Sequence, residues 1–517
     1  MSFSNWKRLG LGIGAGLGAL ALTTGSALAA APPPDPLNSG DTAWMITSSA
    51  LVLLMTIPGL ALFYAGMVRK KNMLATAAQS FGATCIISVL WMIIGYSVAF
   101  TTNKDSNLNQ YIGSFDQFML FQMGLKSINP LAGTIPESVY MFFQMTFAII
   151  TPALITVLWM VIGYSIAFTG HDPYIGDFKY FLLAPLNGDI NIANTDLAPT
   201  IPETVYMFFQ MTFAIITPAL IAGALADRMK YSAFLLFMGA WLLLVYCPIA
   251  HWVWSAKGFI GTGGTIGALD YAGGSVVHLN AGTAGLVAAL MLGKRKGLGT
   301  ENFAPHNLAY SVIGASLLWV GWFGFNAGSA VEAHDGAAGM AAAATQIATA
   351  AAALAWMFVE WIISKKPSVL GMISGAVAGL VAITPASGFV NPTGALAIGV
   401  AAGVVCYISA VHLKKVFGYD DALDCWGVHG IGGALGAILT GVFASSKINS
   451  LGKGWVYDGN FHQVILQLMD VGIVFGYCLV MTFIILGVLK LTIGIRVSED
   501  VEVEGLDINL HGEVVHG

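Results

Sequence analysis

The chain has 517 residues, only 9% of them charged and 56% hydrophobic, with a mean hydropathy of +0.76. So few charges exclude an ordinary soluble protein of this length and point to an all-α polytopic membrane protein, whose apolar spans satisfy their backbone groups internally. The 62 glycines suit close helix packing, and a net charge of −5 without a basic run gives nucleic acid no footing.

Residues 1–29 read as a secretory signal. Lys7 and Arg8 precede an apolar stretch from Leu9 to Leu22, and Ala27-Leu28-Ala29 offers a cleavage site. A Pro-rich linker, 30–41, would then lie outside, before a membrane domain over 42–493 and a polar tail over 494–517. Apolar stretches of span length fall at Thr42–Met67, Gln79–Thr101, Pro202–Leu225, Tyr231–Trp254 and Ser275–Leu292. Six more follow at Asn307–Val331, Met340–Ile363, Val369–Gly388, Thr393–Leu413, Leu423–Ala444 and Val464–Ile493, making eleven.

With the N-terminus outside, the segments on the inner face carry Arg69, Lys70, Lys71, Arg228, Lys230, Lys294, Arg295, Lys296 and most of the later basic residues. That satisfies the positive-inside rule and puts the acidic tail in the cytoplasm of a cell bounded by this inner membrane.

Residues 102–201 break the pattern with a tandem repeat. Val89-Leu90-Trp91-Met92 through Gly95-Tyr96-Ser97 returns as Val157-Leu158-Trp159-Met160 through Gly163-Tyr164-Ser165. Tyr140-Met141-Phe142-Phe143-Gln144-Met145-Thr146-Phe147 returns as Tyr206-Met207-Phe208-Phe209-Gln210-Met211-Thr212-Phe213. The loops between differ, so one unit, 89–155, has a second version at 157–221. The later basic clusters stay inside only if the extra material crosses the membrane an even number of times or not at all. Val139–Phe168 is then a short hairpin, a re-entrant segment or a helix outside the main bundle. The second version runs directly into the next span and is expected to be the working one.

His278 and His429 each sit in an apolar span among small residues, in Gly274-Ser275-Val276-Val277-His278 and Cys425-Trp426-Gly427-Val428-His429. An ionisable group at membrane depth faces a cavity or a partner. Five spans separate the two, so the halves that carry them are inverted, and the histidines meet near the midplane. Two facing imidazoles share one hydrogen bond and fix each other's tautomer. A neutral pair in a dry pore can accept from a small amine or relay its proton, but cannot replace the hydration shell of K⁺. Asp270, eight residues before His278, either caps the fifth span or draws cations. Phe209, Phe213, Trp254, Trp322, Phe323 and Phe325 offer ring faces for a desolvated cation or a plug against water, and Ser329 adds a hydroxyl. His251 and His306, near span ends, are expected to make local bonds. The five cysteines lie in apolar segments and read as buried thiols. No metal or cofactor is expected, and no nucleotide-binding loop marks a primary pump.

On three motifs the chain resembles the ammonium transporter family (Amt/Mep/Rh), on its bacterial Amt side. They are Asp270-Tyr271-Ala272-Gly273-Gly274-Ser275-Val276-Val277-His278, Gly321-Trp322-Phe323-Gly324-Phe325-Asn326-Ala327-Gly328-Ser329 and Asp424-Cys425-Trp426-Gly427-Val428-His429-Gly430. The resemblance covers roughly 40–512 without the extra unit. It implies eleven transmembrane helices with inverted five-helix repeats, a homotrimer with one pore per subunit, and a PII-type signalling protein as a partner at the inner face. It implies an outer ammonium or methylammonium site at Phe213, Trp254 and Ser329, a stacked gate of Phe213 and Phe325, a supporting acid at Asp270, and pore histidines His278 and His429. Phe147 matches the gate position as well as Phe213 does, and Phe213 is preferred because its downstream segment keeps the family's order. The expectation is a transporter, not an enzyme, that recruits NH₄⁺ outside, deprotonates it and passes NH₃ inward. The alternatives are an ammonium sensor with little transport and a neutral-gas channel.

Overall fold

A computed structural model describes residues 39–76, 158–170, 172–187, 193–194, 196–333 and 336–512. The signal, the span expected at Gln79–Thr101 and the whole first repeat version, 89–155 with Phe147, lie outside the described residues. The first helix, α1, runs over 39–67 as Ser39–Leu54, a π segment at Met55–Leu60 and Ala61–Met67. It starts three residues inside the expected linker. Next come α2 (Trp159–Phe168), α3 (Glu203–Leu225), α4 (Tyr231–Trp254) and α5 (Gly274–Leu292). Then follow α6 (Leu308–Ala327), α7 (Ala337–Ser364), α8 (Val369–Ile383), α9 (Pro392–Phe417), α10 (Trp426–Phe443) and α11 (His462–Thr492), with a short tail helix α12 (Glu499–Glu504). Eight described helices are long and apolar enough to cross a membrane. A two-strand ribbon, β1 (Ala193–Asn194) with β2 (Ala198–Pro202), leads into α3.

Local chemistry sets several ends. Asn307, Ser368 and Asn391 accept from the backbone N–H groups of Tyr310, Gly371 and Gly394, capping α6, α8 and α9. Pro392 fills the first turn of α9, where no N–H is needed. Pro385 follows α8 closely, and the helix stops at Ile383, short of the Gly388 expected from hydropathy.

The second repeat version occupies the bundle. Trp159 and Tyr164 of α2 are fully buried, and Trp159 packs edge-on to Tyr164 and Phe168 and at a tilt to Tyr246 of α4. The Tyr164 hydroxyl donates to Glu203 at the start of α3. Residues 158–168 therefore lie in the core, not beside it, which removes the outlying helix for this part of Val139–Phe168. His251 ties α4 to the same segment: its ring nitrogens lie 2.9 and 2.8 Å from the carbonyl oxygens of Ala167 and Asp172. These contacts span about eighty residues, so the local bonding expected of His251 is corrected.

Outward faces of α7 and α11 expose Leu354, Phe358, Ile362, Val480, Phe483 and Leu491, a surface suited to lipid. At one end of the bundle the expected inner-face charges gather. Arg295 pairs with Asp227 at 3.1 Å and Asp420 at 2.8 Å, and Arg228 lies 3.9 Å from Asp420. Arg69 and Arg295 both lie over the Phe303 ring. Burial lowers the Arg228 guanidinium to about 10, and Arg295 holds the Asp420 carboxyl below the usual range against its own burial. The tail docks on this cluster. Asp507 accepts from the N–H groups of Leu74 and Ala75, Leu506 N–H donates to Asn72, and Arg496 pairs with Glu502.

Candidate pore

Four of the singled-out residues stand in π segments, where the helix carries one extra residue in a turn: His278 in Gly274–Leu279, Phe323 and Phe325 in Phe323–Ala327 and His429 in Trp426–Gly430. Such bulges re-aim a side chain and cluster at functional sites. Hydropathy carries no signal for them, so the sequence named these residues without seeing how they are aimed.

The starts of α5 and α10 pack against each other reciprocally. A methyl on Gly282, four residues after His278, would meet the Gly430 backbone at 2.2 Å. A methyl on Gly433, four residues after His429, would meet the Gly274 carbonyl at 2.6 Å and His278 Cβ at 3.0 Å. Each histidine's helix thus presents a glycine to the other's first turn, the exchange that a two-fold relation between inverted halves produces. The imidazoles meet with Nδ1 atoms 3.3 Å apart and rings stacked at 24°. One Nδ1 must donate and the other accept. His278 Nε2 has no hydrogen-bond partner among the described residues, and the ring stacks on Trp322, whose indole N–H is held by Thr384.

Above the pair, aromatic rings form an unbroken series. Phe325 lies 5.8 Å from His278 between ring centroids, Phe213 lies 4.3 Å from Phe325, and Trp254 stands edge-on to Phe213 at 5.6 Å. Phe213 and Phe325 are both buried. Phe209 adds an edge contact to Phe213. The Trp254 indole donates to the Asp270 carbonyl at 2.9 Å. Ser329 stands one turn beyond Phe325 and donates its hydroxyl to the Phe325 carbonyl.

Asp270 is a cap. Its two oxygens accept from the N–H groups of Gly273, Gly274, Ser275 and Val276 and from the Ser275 hydroxyl. Five donors leave this carboxylate little capacity for a cation, an arrangement that fits the capping reading. The turn depends on Gly273, at φ +116°, a conformation open to glycine.

Asp470 and Asp421 went unnoticed in the sequence. Asp470 is fully buried on α11 beside Asp270 and Ser275, and neither of its oxygens has a hydrogen-bond partner among the described residues. Asp421 is fully buried before α10 and accepts from the Trp426 N–H at 2.7 Å. Its signal was available: it precedes His429 by eight residues, as Asp270 precedes His278. The four described cysteines are free and buried.

The model of the Ammonium Transporter Family matches residues 43–158 and again 150–516. The chain belongs to this family. Two matches that meet within the repeat fit a chain carrying that stretch twice. An ammonium transporter of Bacillus subtilis is 42% identical over 477 residues, covering 92% of this chain and 98% of the relative. One from Aquifex aeolicus is 43% identical over 477 residues, covering 92% and 93%. The crystal structure of Mep2 from Saccharomyces cerevisiae is 30% identical with a TM-score of 0.68, covering 90% of this chain and 92% of that one. Family members of this kind are multi-pass membrane proteins, and this chain is one.

Proposed function

We propose that the chain moves ammonium inward across the membrane through a pore that starts at Trp254 and Phe213 and runs past His278 and His429. The observation that carries this reading is the continuous series of rings from Trp254 through Phe213 and Phe325 to the paired imidazoles. The ring faces of Trp254 and Phe213 attract a desolvated cation, and Ser329, at the mouth, is the hydroxyl partner. The buried phenyl pair admits neither bulk water nor a hydrated ion, so NH₄⁺ gives up its proton, NH₃ passes, and the proton crosses separately, which carries net charge inward. The unshared His278 Nε2 faces the solute as a polar atom in an otherwise apolar channel. Asp270 acts by holding the start of α5, and so the position of His278.

In this reading the second repeat version is the working one and Phe213, not Phe147, is the gate. The protein is a homotrimer in the inner membrane, with a cleaved signal at 1–29, an outer N-terminus and a cytoplasmic tail that a PII-type protein can reach. The docking of the tail onto the arginine-rich end supports that orientation. The test is reconstitution into liposomes and measurement of current after an ammonium jump. An ammonium-dependent inward current is expected; neither current nor uptake with folded protein would refute the proposal.

A further inference from the structure

The pore carries two matching carboxyl caps, eight residues before each histidine, and they differ in how they are satisfied. Asp270 is saturated by five donors. Asp421 takes the Trp426 N–H on Oδ2 with the Cys425 N–H beside it, and Oδ1 has no hydrogen-bond partner among the described residues, although the side chain is fully buried. Its surroundings are mixed. Lys414 of α9 donates to the Asp421 carbonyl at 3.2 Å and pairs with Asp424, while Asp424 itself crowds Asp421 with like charge. Tyr64 of α1, Tyr419 and Cys425 complete the titratable groups that face it, and α3 meets the same loop through the Leu423 N–H on the Gly223 carbonyl. Asp424 holds a left-handed backbone at φ +58°, so the loop that closes this end is strained.

We propose that Asp421 is a pH-sensing positioning residue of the inner mouth: uncharged it lets the loop close on the start of α10, and charged it loosens that turn and with it the seat of His429. The inference rests on the pore reading above. Burial, followed by the Asp424 charge, pushes the Asp421 carboxyl up to about 6. A group whose pKa rises on folding binds its proton more tightly in the closed loop, so closure is favoured below about pH 6 and weakens as pH rises through that value. At neutral pH the mouth is poised loose, and acidification of the inner face tightens it. Asp270, with all its donors, has no matching free oxygen, so the response belongs to the inner side.

Two measurements on the full-length chain test this. Amide exchange of residues 425–429, corrected for the intrinsic pH effect, is expected to lose about tenfold in protection between pH 5 and 7.5 in the wild type. In Asp421→Asn, which keeps an oxygen for the Trp426 N–H but carries no charge, protection stays high and flat. In oriented proteoliposomes, wild-type ammonium current should fall at least twofold when the inner pH drops from 7.5 to 5.5. Asp421→Asn should carry a low current at both values, while Asp421→Glu restores the response with a shifted midpoint. A wild-type pH profile in Asp421→Asn by either measurement overturns the inference, as does unchanged protection in the wild type. If the wild type carries no ammonium current yet the exchange result holds, the transport reading fails and the switch stands.

Discussion

His278 and His429 contact each other through Nδ1 at 3.3 Å, so the pair has one inward-facing hydrogen bond and remains available to the pore through the outer nitrogens. Replacing either by Asp puts a carboxylate where a neutral ring stood. A fixed negative charge in an apolar channel draws cations that need not lose a proton. His278→Asp and His429→Asp are each expected to raise K⁺ flux by about tenfold, equivalent to about 1.4 kcal/mol of discrimination, measured as K⁺ current against ammonium current in the same vesicles. Unchanged selectivity would refute the idea that proton loss excludes K⁺. The pair was legible in the sequence because two histidines in apolar spans with glycine-rich surroundings are costly and rare. Asp421 and Asp470 were missed for the opposite reason: one lies in a polar loop and the other is a single carboxyl in a long helix. Their burial is a property of packing, and the local trace of it was the eight-residue offset of Asp421 from His429, shared with Asp270 and His278.

At the level of the helix, Asp270 and the start of α5 act as one unit. Each oxygen serves two N–H groups, Oδ1 those of Gly273 and Gly274, Oδ2 those of Ser275 and Val276 with the Ser275 hydroxyl as a third donor. Asn is therefore not a conservative replacement, since its amide nitrogen would face donors on one side. Asp270→Asn is expected to cost about 2–3 kcal/mol and Asp270→Ala about 3–5 kcal/mol, from leaving buried donors unpaired. Both should lose transport, because the turn they loosen carries His278. Thermal melting of the detergent-solubilised protein together with uptake checks this; an Ala variant that melts like the wild type would show that the cap is not what holds α5. The described spans were read from hydropathy to within about five residues, since length and apolarity fix them. The π segments were not, because an extra residue in a turn leaves the hydrophobic period almost unchanged.

For the whole molecule, the second repeat version packs into the bundle, and the residues that let it do so can be set against the first version's sequence. The residues through which the second version packs are Trp159, Gly163, Tyr164, Phe168, Glu203, Tyr206, Phe209 and Phe213. Their counterparts Trp91, Gly95, Tyr96, Phe100, Glu137, Tyr140, Phe143 and Phe147 are the same residue types at every position. The match ends at the inner end of the pore helix. A methyl on Gly223 would strike the Tyr64 ring at 2.8 Å, and Asp227 pairs with Arg295 while Arg228 anchors on the Asp420 carbonyl. The first version has Val157, Val161 and Ile162 at those places. A bulky, branched residue against Tyr64 and two apolar residues in an ion-pair network are both disfavoured, so only the second version completes α3. Excising residues 89–156, which joins Ser88 to Val157 and keeps the second version intact, should therefore leave transport and melting close to those of the full chain. Excising residues 157–222 instead joins Thr156 to Gly223 and restores the same inner end to the first version. If packing identity decides, that chain should also transport, with Phe147 as its gate. A folded but inactive product of the first excision would show that the extra unit is required, and would return the placement of the gate to Phe147.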